Sequence, residues 1–126
     1  KNVFEKAGYT LLERTPEEHD RMMSIVQALN HLNTITLGLA IAATGIPLDE
    51  IRKFSTPVFR ARMDAVKKVL TESPDMYADI IAGNPDAVKI LRVYEQMVAQ
   101  IRDAVSAGDV SRFKEIIAAA SGKLFR

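Results

Sequence analysis

The chain has 126 residues, of which 48% are apolar and 26% charged, and a formal net charge of +1. This length and composition predict one globular domain with a single core. The balanced charge gives no indication of nucleic acid or an anionic membrane surface as partner. Because the chain has no cysteine, disulfide frameworks and thiolate metal sites are excluded, and we expect a cytoplasmic protein.

Residues 1–14 are predicted to be the remnant of a preceding domain. Residues 1–8 have the pattern of a helix end, and residues 9–13 (YTLLE) that of a short strand. An isolated strand has nothing to pair with, so we expect it to belong to a sheet completed elsewhere. The chain starts without methionine or a signal-peptide pattern, which we interpret as a piece of a longer protein.

Residues 15–43 predict one long helix, and we expect the remaining helices to pack around it. Thr15 can cap its start, Pro16 suits the first helical position, and Glu18 completes a capping box. No further proline interrupts the run, and Gly45 offers a stop. At 1.5 Å per residue the helix would be roughly 40 Å long.

One face of this helix carries neutral polar side chains, and the remainder is mostly apolar. At about 100° per residue, one arc holds Met23 and a polar stripe of His19, Gln27, Asn30, His31 and Thr34. No charge occurs between Met22 and Leu48, which is typical of a buried helix. So many polar residues disfavour a membrane span. Because an unpaired buried polar group costs about 1–3 kcal/mol, we expect the stripe to meet internal partners, another chain or a ligand.

The other four prolines also lie where helices would begin, and three of them follow Ser, Thr or Asn. Helices are predicted at residues 48–54, 58–72, 75–83, 86–108 and 110–125. The last two have amphipathic stripes that predict packing in the core: Val88, Leu91, Met97, Val98, Ile101 and Val105, then Val110, Phe113, Ile116 and Ile117. The sequence therefore predicts an all-α domain of about five to six helices around one long buried N-terminal helix.

Each candidate site residue also has a purely structural interpretation. His19 could be exposed near a cap or face a cleft, and His31 could be a satisfied core histidine or line a pocket. Roughly 18 Å of helix separates the two, so one metal ion cannot bind both, and no metal site is predicted. Tyr77 could pack in the core or present its hydroxyl to a site. No phosphate loop or nucleophile motif occurs, so we expect no nucleotide site in this chain.

Four motifs in register resemble the C-terminal helical domain of prephenate dehydrogenases: EEHD, IVQALNHL, FSTPVFR and SPDMYADII, at residues 17–20, 25–32, 54–60 and 73–81. The family has a His-Asp pair opening a long helix, a second histidine twelve residues later, a Ser-x-Pro turn and a Tyr-Ala-Asp-Ile segment. The implied fold is the helical domain of 6-phosphogluconate-dehydrogenase-like enzymes. Residues 1–14 would be the end of the preceding Rossmann domain, and residues 15–126 the dimerisation and substrate-binding domain.

The resemblance also implies a reaction. Family members oxidise and decarboxylate prephenate to 4-hydroxyphenylpyruvate with NAD or NADP, in tyrosine biosynthesis. The nucleotide and the catalytic histidine belong to the N-terminal domain, so this chain alone is expected to be inactive and to bind no cofactor. Its expected contributions are the homodimer interface and part of the prephenate pocket.

Site residues follow from the same resemblance. His31 matches a histidine that lines the substrate pocket and affects inhibition by tyrosine, and His19 matches the His-Asp pair at the interdomain cleft. Tyr77 matches a tyrosine of the effector response. Together with Gln27 of the polar stripe and Lys68, His31 and His19 are the predicted substrate-binding residues.

Lys68 departs from the family pattern, because the family often has a carboxylate-binding arginine at this position. Lysine keeps the charge and loses the planar two-pronged geometry. Either Lys68 acts as a point charge, or Arg62 or Lys67 takes its place. Two other functions stay open: a non-catalytic dimerisation or scaffold domain, and a free-standing helical enzyme resembling chorismate-mutase bundles, which needs several converging cations.

Overall fold

The computed structural model describes residues 14–125, and within this range it contains six helices and no strand. The helices are α1 (Pro16–Ala43), α2 (Leu48–Arg52), α3 (Pro57–Thr71), α4 (Pro74–Ala82), α5 (Ala87–Ser106) and α6 (Val110–Leu124). The prediction of an all-α fold is therefore confirmed. The helix end and the strand predicted within residues 1–13 lie outside the described residues.

Capping side chains explain where several helices begin. Thr15, Thr56 and Asp109 each accept a hydrogen bond from the backbone N–H three residues on, at 3.1, 3.2 and 2.9 Å. At the other end of α1, Gly45 has a φ of +72°, which glycine adopts without the strain of a side chain. Ser73 occupies the N-cap position of α4, but its side chain makes no capping hydrogen bond.

Residues 14–125 divide into two compact units, and the boundary lies between Ala87 and Val88. In the first unit α1 packs against α3 and α4, and α3 also contacts α4. Helices α1 and α3 approach closely at Gly38, where a methyl group would lie 2.9 Å from both Val66 Cγ1 and Leu70 Cδ1. The buried residues of this unit are Ser24, Ala28, Gly38, Val66, Val69, Tyr77 and Ala87.

The prediction that α1 is buried is wrong for the single chain. Only Ser24, Ala28 and Gly38 of this helix are buried, whereas Val26 and Leu39 are 59% and 61% exposed. The reason is that, within the described part of the first unit, α1 packs against α3 and α4, which cover only part of its circumference. The polar stripe is accordingly half-buried or exposed rather than sealed inside a core.

Within residues 14–125, α1 is also the one helix that is long and apolar enough to cross a membrane by length and composition. Only 6% of its most apolar 18-residue stretch is buried. Residues 14–87 of the first unit therefore leave most of this stretch uncovered. Gln27, Asn30 and His31 lie within α1, and polar side chains of this kind are rare in a spanning helix, which favours a protein cover.

In the second unit, Ala104 is the one buried residue of the described part. The amphipathic stripes of α5 and α6 are predicted to pack in the core, but within the second unit taken by itself most of their members are exposed. Those exposed are Val88, Met97, Val98, Ile101, Val105, Val110 and Ile117. The periodicity of a helix identifies its apolar face, but whether a partner covers that face depends on tertiary and quaternary structure.

Candidate functional site

Two predicted site residues, His31 of α1 and Tyr77 of α4, are in direct contact. Their ring centroids lie 4.7 Å apart, and the ring planes form an angle of 67°, an edge-to-face arrangement. Tyr77 is 9% exposed and His31 is half-buried. Aromatic pairs in such geometry contribute about 0.5–1.5 kcal/mol beyond the burial of their surface. The structure therefore joins the polar stripe of α1 to the segment that carries Tyr77.

α4 contacts two parts of α1, and the first of them is not α-helical. Residues Ser24–Leu29 form a π-helical segment, in which the N–H of Asn30 donates to the carbonyl of Ile25, five residues before it. Gln27 lies within this segment and is half-buried. Segments of this kind occur often at functional sites, where they change the direction of neighbouring side chains.

The π-helical segment corrects one sequence prediction. A constant turn of about 100° per residue placed His19 on the same arc as His31 and Thr34. Because hydrogen bonds to the fifth preceding residue reduce the turn per residue, this register does not continue through Ser24–Leu29. The polar stripe is therefore continuous only after this segment, from Asn30 to Thr34. No sequence motif marked the segment.

His19 lies apart from the His31–Tyr77 pair. It is exposed, and its Nδ1 is 4.0 Å from Asp20 Oδ1. Roughly 18 Å of helix separates it from His31, so the two histidines do not share one small pocket within this chain. The same end of α1 is tied to the segment after α4, because Asn84 Nδ2 donates to the backbone carbonyl of Asp20 at 2.9 Å.

Two clefts run along opposite sides of α3 and separate its cations. The larger, of about 700 Å³, is bounded by α2 and α3 and includes Phe59, Asp64 and Lys67 in its lining. The smaller, of about 430 Å³, lies between α1 and α3. We call it the Arg62 groove, and its lining includes Asn30, Asn33, Thr34, Leu37, Val58 and Arg62. The predicted cation Lys68 is exposed and lines neither cleft.

The described residues offer no obvious metal chemistry. No group of three or more His, Asp or Glu side chains within residues 14–125 is placed to hold a metal ion. The same range contains no fully buried side-chain nitrogen or oxygen that lacks a hydrogen-bond partner. The side chains that this part of the chain presents for binding are aromatic edges, neutral polar groups and the cations of α3.

Comparison with known proteins identifies the family. Residues 15–119 match the family model described as prephenate dehydrogenase, dimerization domain. A probable arogenate/prephenate dehydrogenase of Methanocaldococcus jannaschii is 30% identical over 116 residues, which are 92% of this chain and 26% of that protein. The T-protein of Enterobacter agglomerans is 30% identical over 96 residues, 76% of this chain and 26% of that protein.

A third relative is the 4-amino-4-deoxyprephenate dehydrogenase of Streptomyces pristinaespiralis, which is 24% identical over 117 residues, 93% of this chain and 40% of that protein. No solved structure matched significantly. The chain spans about a quarter of the length of the first two relatives. The family model covers most of the chain, including all four motifs and the His31–Tyr77 pair. The chain therefore belongs to the family of prephenate dehydrogenase dimerisation domains.

Proposed function

We propose that this chain is the dimerisation and substrate-binding part of a longer prephenate dehydrogenase. The observation that carries the proposal is the family match over residues 15–119, which includes the contacting pair His31 and Tyr77. The reaction would be the oxidative decarboxylation of prephenate to 4-hydroxyphenylpyruvate with NAD or NADP. Arogenate and 4-amino-4-deoxyprephenate, which appear in the names of relatives, are the alternative substrates to compare.

Within the longer enzyme, this chain would bind and orient the substrate, while another domain would bind the nucleotide and carry the catalytic histidine. His31 and Gln27 would supply neutral hydrogen-bonding groups beside the ring of Tyr77. Lys68 is the proposed cation for a substrate carboxylate, and His19 would lie at the mouth of the interdomain cleft. Regulation by tyrosine and a cytoplasmic location stay predictions.

We also propose that a second copy of this chain covers the exposed apolar surface of α1. Three observations support this proposal: the helix is long, its apolar residues such as Ile25, Val26 and Leu39 are 49–61% exposed, and the family is described as a dimerisation domain. In a two-fold dimer the same surface meets itself, so one long apolar helix can supply both halves of an interface. Light scattering at tens of micromolar should therefore give the mass of a dimer.

The enzymatic proposal is tested on the full-length protein that contains this chain. With prephenate and NAD or NADP, we expect reduction of the nucleotide and release of carbon dioxide. A His31→Ala variant should raise the KM for prephenate and leave the KM for the nucleotide nearly unchanged. A folded, dimeric full-length protein that oxidises neither prephenate nor either alternative substrate would contradict the proposal and favour the scaffold function.

A further inference from the structure

The Arg62 groove combines features of a small-molecule site, and the sequence predicts its cation, Arg62, only as a replacement for Lys68. Its volume of about 430 Å³ is within the usual range for ligand pockets. Asn30, Asn33 and Thr34 line it from α1, and Arg62 lines it from α3, with apolar contributions from Leu37 and Val58. Neutral polar groups, one cation and apolar side chains therefore line the groove together.

Arg62 has no acidic partner among residues 14–125. The residues three and four positions away on its own helix are Val58, Phe59, Ala65 and Val66, so no carboxylate lies beside it on the helix surface. Other arginines do have such partners; Arg52 Nη1, for example, lies 3.7 Å from Asp49 Oδ1. The five guanidinium donors of Arg62 are therefore not engaged by a protein carboxylate in the described part of the chain.

The charge of the groove is also unbalanced. Among the described residues, Arg62 is the one charged residue in its lining, whereas the larger cleft on the other side of α3 combines Arg52, Arg60 and Lys67 with a carboxylate, Asp64. On the opposite wall, Thr34 Oγ1 donates to the backbone carbonyl of Asn30 at 3.3 Å, which leaves the hydroxyl oxygen able to accept a hydrogen bond. The side-chain amide of Asn30 can both donate and accept. A positive groove with neutral donors and acceptors is complementary to a small hydroxylated carboxylate.

We propose that the Arg62 groove binds a carboxylate of the substrate and that Arg62 is the residue that holds it, through two parallel N–H···O hydrogen bonds. A planar guanidinium matches a carboxylate in this two-pronged way, which the ammonium group of Lys68 cannot do. The inference rests on the proposed function and adds a binding residue to that site. Because prephenate carries two carboxylates, Arg62 acts in addition to Lys68.

The test uses the full-length dehydrogenase and steady-state kinetics with prephenate. Arg62→Ala should raise the KM for prephenate about 10- to 100-fold, the range expected for losing hydrogen bonds to a charged group. Its KM for the nucleotide should stay within about twofold of wild type. Arg62→Lys should raise this KM less than Arg62→Ala does, because lysine restores the positive charge but lacks the planar, two-pronged geometry of the guanidinium. Lys67→Ala is the matched control, since it removes a cation from the same helix at the other cleft.

A second variant tests the opposite wall of the groove. Asn30→Asp places a negative charge where the carboxylate of the ligand would lie, and should also raise the KM for prephenate and weaken its binding in calorimetric titration. Both variants alter exposed positions, so the fold should persist, and circular dichroism checks this.

The inference is overturned if Arg62→Ala keeps the wild-type KM for prephenate, or if Lys67→Ala raises that KM as much as Arg62→Ala does. A failure of the proposed function looks different, because the wild-type enzyme would then neither oxidise nor bind prephenate. An active wild type with an unaffected Arg62→Ala variant refutes the role of the groove alone.

Discussion

His31 and Tyr77 form an edge-to-face contact that links α1, two residues after its π-helical segment, to the first turn of α4. The resemblance to the family assigns one of these residues to substrate and the other to effector response. Their contact means that a change at Tyr77 must alter the environment of His31. Substrate binding and any response to tyrosine would therefore be coupled through a single pair of rings.

The coupling can be measured by a double-mutant cycle. We expect the effects of His31→Leu and Tyr77→Leu on the free energy of unfolding to be non-additive by about 0.5–1.5 kcal/mol, the contribution of an aromatic pair. Urea unfolding at one protein concentration provides the values. His19 is the matched control, because it is exposed and its nearest charged neighbour is Asp20. A cycle of His19→Leu with Tyr77→Leu should be additive, and a coupling of similar size there would contradict the interpretation.

Gly38 and Gly122 should respond in opposite ways to the same substitution. A methyl group at Gly38 would lie 2.9 Å from Val66 Cγ1, and Val66 is a stiff, buried side chain. Overpacking should cost about 1–3 kcal/mol in the free energy of unfolding, whereas the better helix propensity of alanine contributes about 1 kcal/mol. We therefore expect Gly38→Ala to destabilise the protein.

Nothing lies within 4 Å of a methyl group at Gly122 in α6, so Gly122→Ala should stabilise the protein by about 0.5–1 kcal/mol. Chemical unfolding of each variant measures its free energy of unfolding relative to the wild type and checks that the two changes have opposite signs. A stabilising Gly38→Ala would show that α1 and α3 can separate without loss, contrary to the close approach described above.

Asn84 connects two distant parts of the first unit, because the oxygen and the nitrogen of its side-chain amide each form a hydrogen bond. Its Oδ1 accepts from Asp86 N at 2.7 Å while its Nδ2 donates to the carbonyl of Asp20. Asn84→Asp keeps the first hydrogen bond and replaces the second with repulsion between two oxygens. We expect a loss of about 1–3 kcal/mol in the free energy of unfolding.

The control for Asn84→Asp is Asn30→Asp, at an exposed position, which should change stability by less than about 0.5 kcal/mol. Equal losses in the two variants would mean that the added charge, and not the tie to Asp20, is responsible.

The exposed apolar surface of α1 predicts how the dimer can be dissociated. Leu39 is 61% exposed in the single chain, and in a dimer it would be covered. Leu39→Glu should raise the dimer dissociation constant by about 30-fold or more, because burying an unpaired charge at an interface costs about 2 kcal/mol or more in binding free energy. Sedimentation velocity across a concentration series measures this constant. Leu39→Met retains an apolar side chain and should stay dimeric; an unchanged dimer in Leu39→Glu would place the interface elsewhere.

The sequence by itself determined where the helices lie and which family they belong to. Helix starts are local events, and Thr15, Thr56 and Asp109 cap their helices through bonds that span only three residues. The spacing of the four motifs likewise depends only on the order of residues along the chain. For this reason the all-α fold and the match over residues 15–119 were predictable from the sequence.

Only the tertiary structure decided which side chains meet. It brought His31 against Tyr77, introduced the π-helical segment, and placed Arg62 and Lys67 in different clefts. It also showed that the described residues of the first unit leave α1 largely uncovered, although its composition predicted burial. The physical reason is that periodicity defines the faces of a single helix, whereas contacts between faces depend on the packing of segments that are distant in sequence.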